Sequence, residues 1–255
     1  MTLYFDHREQ NRQNDLAERY HRTLLFNKEA ESARAYLLKE RGLSDEIIKL
    51  YKIGYCPEHV KEPKKEHLAG RIIFPIIDEF GDVVSFAGRV FNKEIFDNKY
   101  WHLPFSKQYF LYGLNLSWKD ILEKNIAVLV EGEVDAIRCY QAGIHNIVGI
   151  LGTAFTKAHL TKLLMFTDRF IFMFDGNNPG RKCAKSAVDL LKSNRNAKFE
   201  YINVLLRFKG VEYDPDDFIK EHGGNKLKRY LNSCWREKYQ SEKNLYISDL
   251  QCQTT

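Results

Sequence analysis

The sequence predicts an α/β protein, α+β when taken as a whole. A mixed α/β subdomain rich in basic residues comes first, then a Rossmann-like parallel-sheet domain, then a C-terminal helical segment. Two observations predict this. From Asn125 onward, short apolar runs alternate with helical patterns of ten to fifteen residues, the signature of βαβ units with helices on both faces of the sheet. Before that, Arg71–Ile77 and Val83–Phe91 are β-branched and aromatic runs joined by Asp78-Glu79-Phe80-Gly81-Asp82, a hairpin signal.

Residues 1–26 are polar, carry scattered Arg and show no clear period, so a tail or a loosely docked helix is expected. Ala30, Ala33, Leu37 and Leu38 recur at helical spacing, with Gly42 as a stop. Ser44 can cap a short second helix carrying Ile47, Ile48 and Tyr51. Residues 57–70 read as a loop, and residues 92–118 as irregular and aromatic-rich. Strands are then expected at 126–130, 147–151, 170–174 and 199–206. Helices are expected at 132–142, from a Thr156 cap through Leu164, at 179–192 with Pro179 in the first turn, and at 225–239. The expected divisions are a polar tail at 1–26, the basic subdomain at 27–120, the parallel-sheet domain at 121–222 and the helical segment at 223–255.

Composition narrows the function. Hydrophobic residues make up 44% and charged residues 29%, the balance of a soluble globular chain. No apolar run approaches the roughly 20 residues that span a bilayer, and the polar start is no secretory signal, so a cytoplasmic protein without a membrane role is expected. Cys56, Cys139, Cys183, Cys234 and Cys252 are scattered and lack metal-ligand spacing, so reduced thiols and no zinc are expected. The net charge of +5 permits polyanion binding without requiring it.

The carboxylates carry the chemistry. In a parallel α/β sheet, ligands bind beyond the carboxyl ends of the strands. Three acidic groups fall there: Glu131 in Glu131-Gly132-Glu133-Val134-Asp135, Asp175 in Asp175-Gly176-Asn177, and Asp214, Asp216 and Asp217 in Asp214-Pro215-Asp216-Asp217. Hard oxygen ligands gathered at one sheet edge suit Mg²⁺, which keeps waters and binds substrate phosphates. Any one of these residues alone would read as a helix cap. Three clusters at three strand ends favour a metal site.

These motifs resemble the TOPRIM domain of DnaG-type primases: Glu-Gly-x-x-Asp, Asp-Gly-Asx-x-x-Gly and Asp-Pro-Asp after successive strands. The resemblance runs over roughly residues 30–222 in the same order. It takes in Ala35-Tyr36-Leu37, Arg41-Gly42-Leu43-Ser44, Ile53-Gly54-Tyr55, Arg71–Ile76, Phe86–Val90, Leu111-Tyr112-Gly113-Leu114 and Leu151-Gly152-Thr153. It implies synthesis of short RNA primers on single-stranded DNA from ribonucleoside triphosphates, by two-metal nucleotidyl transfer with Mg²⁺ or Mn²⁺. Glu131, Asp175 and Asp135 would be catalytic, and Glu131, Asp175, Asn177, Asp214 and Asp216 the metal ligands. Arg41, Arg71, Arg89, Lys99, Lys107 and Arg181 would hold template phosphates or the nucleotide, although a lone Lys more often lies on a solvated face. Tyr100, Trp101 and Phe105 could stack on bases, with burial the commoner role for such rings.

The chain departs from the family in two ways. Asn177 stands where the family has Asp; its carbonyl can ligate but brings no negative charge, so Mg²⁺ should bind more weakly unless Asp216 or Glu133 compensates. The family's zinc module finds no counterpart in the cysteine pattern, and its helicase-binding domain is expected to be absent or reduced to residues 225–255. A stand-alone core of the kind a phage or mobile element encodes is therefore expected, working with a replicative helicase and a zinc-module protein in trans. Two other readings stay open: a nucleic-acid-binding accessory protein with a weak metal site, and a TOPRIM nuclease.

Overall fold

The computed structural model describes residues 7–59, 66–91, 100–194, 199–240 and 246–247. The chain divides into two compact units, Met1–Ser106 and Lys107–Thr255.

In the first unit, the stretch expected as a tail or a loosely docked helix is a long helix, α1 (His7–Phe26). Four of its apolar residues, Leu16, Ala17, Tyr20 and Leu24, are buried and fall on one face, while Phe26 at its end is exposed. Too few to stand out among the charges, they still form a complete seam. Helix α1 lies against β1 (Gly54–Tyr55). A Cβ on Gly54 would stand 2.7 Å from Tyr20, so the close approach requires glycine. Lys28–Ala30, α2 (Glu31–Ala35) and a π-helical turn at Tyr36–Glu40 follow, the expected helix in three segments. Ser44 caps α3 (Asp45–Leu50), accepting the Ile47 N–H at 3.3 Å.

The hairpin forms as β2 (Ile72–Ile77) and β3 (Val83–Arg89), antiparallel, with β1 and β4 (Tyr100–His102) completing the order β1-β2-β3-β4. The Asp78 carboxylate holds the turn by accepting the Phe80 and Asp82 N–H groups, each at 3.0 Å. Leu16, Ala17 and Tyr20 of α1 complete this unit's core with Cys56, Leu68, Ile73, Val83 and Phe86.

In the second unit, the stretch expected to be irregular contains a turn at Lys107–Tyr109 and the start of α4 (Leu114–Lys124). Gly113 precedes α4 and no side chain caps it, so it lacked a start signal. Then come β5 (Ala127–Val130), α5 (Glu133–Gln141), β6 (Ile147–Gly149), α6 (Lys157–Leu163), β7 (Arg169–Phe172), α7 (Asn178–Ser193) and β8 (Glu200–Val204). A short hairpin, β9 (Arg207–Phe208) and β10 (Val211–Glu212), leads to α8 (Pro215–His222) and α9 (Gly224–Gln240). Neither the hairpin nor α8 was expected. β11 (Tyr246–Ile247) pairs with β8.

The sheet is parallel, in the order β11-β8-β7-β5-β6. The chain steps from β5 to β6 in one direction, then back across β5 to β7 and on to β8. Right-handed crossovers put α5 on one face, and α6 and α7 on the other. The packing follows. Ala127, Leu129, Phe170 and Phe172 join one cluster with residues of α4, α6 and α7. Val128 and Ile171 line a groove of about 400 Å³ with Leu231 and Trp235 of α9. The reversal makes the crevice between β5 and β7 the topological switch point, where α/β sheets bind ligands. No helix among the described residues is long and apolar enough to cross a membrane. Cys56, Cys139, Cys183 and Cys234 are free and buried, while Lys99 and Cys252 lie outside the described residues.

Candidate active site

Glu131 follows β5 directly and Asp175 lies three residues beyond β7, so both stand at the switch point. Glu131 Oε1 accepts the Asp175 N–H at 3.0 Å, which ties the two strand ends together. The first turn of α7 presses on both: a Cβ on Gly180 would stand 2.2 Å from the Asp175 carbonyl oxygen and 2.5 Å from Glu131 Oε1. Leu151, the residue after β6 and Ile150, takes a left-handed φ of 59°, uncommon outside glycine. Next to it, the Gly152 N–H reaches the Glu131 carbonyl at 3.3 Å.

Asp135 stands in the first turn of α5, and Asp214 is the N-cap of α8, accepting the Asp217 N–H at 2.7 Å. The electrostatics show these groups as neighbours. Burial, then Asp214, Asp175 and Asp216, push the Asp135 carboxyl well above its ordinary range. Burial and Asp214 raise Asp175, and burial and Asp175 raise Glu131. Burial and the adjacent Asp217 and Asp216 raise Asp214, against the pull of Lys220. Four carboxylates that repel one another at a sheet edge are a donor set for a hard cation, which would relieve that repulsion. Among the described residues, no three acidic, His or Cys side chains converge closely enough to hold a metal as they stand. The donors fit a divalent ion in kind and share one sheet edge, but they would have to move closer together to enclose it.

Two expected ligands have other partners. Asn177 Oδ1 accepts the Gly180 N–H at 2.9 Å as the N-cap of α7, and its amide donates to Asp175 Oδ2 at 3.3 Å. Asp216 is 3% exposed; Oδ1 accepts from Arg138 Nε at 3.0 Å, and Oδ2 accepts from Lys220 Nζ at 2.7 Å. Arg138 could not be linked to Asp216 from the sequence, because nothing local joins residue 138 to residue 216; Lys220 stands one turn along the same helix, which was itself not expected.

The basic residues divide between the units. In the second, Lys107 is half-buried, and its ammonium is shifted down by burial against the pull of nearby Glu133. Arg181 donates Nε–H to the Gly176 carbonyl at 2.7 Å and pairs with Glu212, a residue the sequence did not single out. In the first unit, Arg71 and Arg89 are 4% and 3% exposed. Burial lowers the Arg71 pKa. Arg89 contacts the hydroxyl and ring of Tyr100. Arg41 donates to the Tyr36 hydroxyl at 2.8 Å. Trp101 stacks on His67 at 4.3 Å, and Phe105 lies 6.4 Å from the His102 ring.

Comparison with known proteins places both units. Residues 128–219 match a Toprim-like family, and residues 61–117 match the N-terminal domain of the DNA primase catalytic core. The DNA primase of Aquifex aeolicus is 34% identical over 243 residues, spanning 84% of this chain and 47% of that protein. That of Lactococcus lactis is 29% identical over 242 residues, spanning 82% and 36%. The chain thus spans less than half the length of these curated relatives. Among solved structures, the zinc-binding and RNA polymerase domains of the Aquifex aeolicus primase superpose with a TM-score of 0.75 at 30% identity, covering 91% of this chain and 63% of that one. A DnaG primase catalytic domain bound to single-stranded DNA gives 0.73 at 27%, covering 89% and 80%.

Proposed function

Because the chain belongs to the DnaG-type primases and carries their Toprim domain, we propose that it synthesises RNA primers on single-stranded DNA in the cytoplasm. The observation that carries this is the meeting of Glu131 and Asp175 at the switch point, with Asp135 and Asp214 beside them. A single-stranded DNA occupies the related catalytic domain named above, which supports the template assignment. The nuclease and accessory readings gain nothing from relatives that are all named DNA primases.

Glu131, Asp175, Asp135 and Asp214 would hold Mg²⁺ or Mn²⁺. When bound, two such ions supply Lewis acidity at the attacking 3′-hydroxyl and charge neutralisation at the leaving pyrophosphate. The chain's own part is placement. The Asp175 N–H fixes the Glu131 carboxylate, and the Asn177 cap fixes the turn that carries Asp175. Lys107 and Arg181 stand on the catalytic unit as candidate holders of the triphosphate, with Arg181 set by Gly176 and Glu212. Arg41, Arg71, Arg89 and Lys99 would hold the template backbone without reading its sequence, so DNA binding weakens steeply with salt. A replicative helicase and a zinc-module protein are the partners proposed for start-site choice.

The test is primer synthesis on single-stranded DNA with labelled ribonucleotides, in Mg²⁺ and in Mn²⁺, comparing wild type with Glu131→Gln. Metal-dependent products that vanish in the variant support the assignment. Absence of product with either metal, helicase and zinc-module protein supplied, refutes it.

A further inference from the structure

We propose that Arg138 is a positioning residue: with Lys220 it clamps Asp216 as the anchor of helix α8, so Asp216 braces the acidic cluster from behind and is not a cation ligand. The cation part rests on the primase reading above; the clamp does not. Asp135 and Arg138 are three residues apart on α5, hence on one face. Asp214 and Asp216 flank Pro215 at the start of α8. One ion pair, Arg138 Nε to Asp216 Oδ1 at 3.0 Å, therefore joins the two helices that present Asp135 and Asp214. Its members are 7% and 3% exposed. Lys220, one turn along α8, takes the other oxygen of Asp216 at 2.7 Å.

The chemistry separates an anchor from a ligand. For Asp216 to turn onto a cation, it would have to leave two cationic partners, the buried Arg138 guanidinium and the Lys220 ammonium, and a charge buried without its partner is strongly unfavourable. A guanidinium on a ligand carboxylate competes with the metal. A guanidinium on an anchor helps the metal by holding the ligands in place. The two roles thus predict opposite signs when Arg138 is removed.

The experiment uses the full chain and two readouts, Mn²⁺ binding followed by electron paramagnetic resonance and thermal unfolding without metal. The proteins are wild type, Arg138→Lys, Arg138→Met, Asp216→Asn and the double variant Arg138→Met/Asp216→Leu. Arg138→Met is expected to weaken Mn²⁺ binding about tenfold, as loss of an outer-shell support does. Arg138→Lys should recover most of it, and Asp216→Asn should match Arg138→Met. The double variant should melt above either single variant, because an apolar pair replaces a buried ion pair better than half a pair does. Tighter Mn²⁺ binding in Arg138→Met, or loss of binding in Asp216→Asn alone, would overturn the proposal. If a single variant does not fold, the double variant decides. If wild type binds no Mn²⁺, the primase reading fails while the melting comparison still judges the clamp, and strictly additive melting shifts would sink it.

Discussion

Gly180→Ala tests the geometry at the switch point most directly. The added Cβ would stand 2.2 Å from the Asp175 carbonyl oxygen, where ordinary contact begins near 3.4 Å, so about 1.2 Å must be found. Backbone cannot yield it as a flexible side chain would, so the first turn of α7 has to move. Overpacking of this kind costs about 1–3 kcal/mol. Alanine returns about 1 kcal/mol of helix propensity. The net loss is then roughly 0–2 kcal/mol, at most a few degrees of melting temperature for each kcal/mol in a chain of this size. Activity should suffer far more, since misplacing reacting groups by about 1 Å costs on the order of 100-fold. The assay pairs thermal unfolding with primer synthesis, and Gly152→Ala serves as the control, because a Cβ there meets nothing within 4 Å. A Gly180→Ala protein with wild-type synthesis and wild-type melting would refute the reasoning.

Asn177→Asp keeps the cap on α7 but replaces the hydrogen bond that the Asn177 amide donates to Asp175 with carboxylate repulsion. Without metal the variant should melt lower than wild type, and Mn²⁺ titration should show affinity up by about an order of magnitude. His159 is 1% exposed and its pKa is lowered by burial. Nδ1 lies 3.3 Å from the Thr156 N–H and Nε2 lies 3.1 Å from the Lys107 carbonyl, so the neutral ring satisfies both. Its contribution is fully present above the unfolded pKa of about 6.5 and is lost as pH falls from there towards the depressed folded value. Denaturant titrations between pH 5 and pH 8 should therefore show a slope that flattens in His159→Gln. Leu16→Ala in α1 removes a side chain that is 2% exposed and should cost about 2–5 kcal/mol by denaturant titration, whereas a dangling tail would cost nothing.

The parallel sheet was legible because its strands are nearly continuous apolar runs buried on both faces, a pattern set residue by residue along Ala127–Val130 and Arg169–Phe172. The hairpin and the caps Ser44 and Thr156 were legible for the same reason: a turn or a cap is chosen by three or four adjacent residues. The positions of Glu131 and Asp175 at one sheet edge were legible from their place after β5 and β7, because in a parallel sheet every strand delivers its carboxyl end to one edge, whereas the hairpin that carries the chain on to Asp214 was not. The firm docking of helix α1 was not legible, because its buried seam of Leu16, Ala17, Tyr20 and Leu24 acquires meaning only against Gly54, Phe86 and Val83. Helix α4 lacked a capping side chain, and α8 begins on residues that read equally well as ligands. The ion pair of Asp216 was likewise out of reach, since which cation faces a buried carboxylate depends on what another helix brings to it. Arg138 lies 78 positions away from Asp216 along the chain, and local chemistry does not report pairings at that distance.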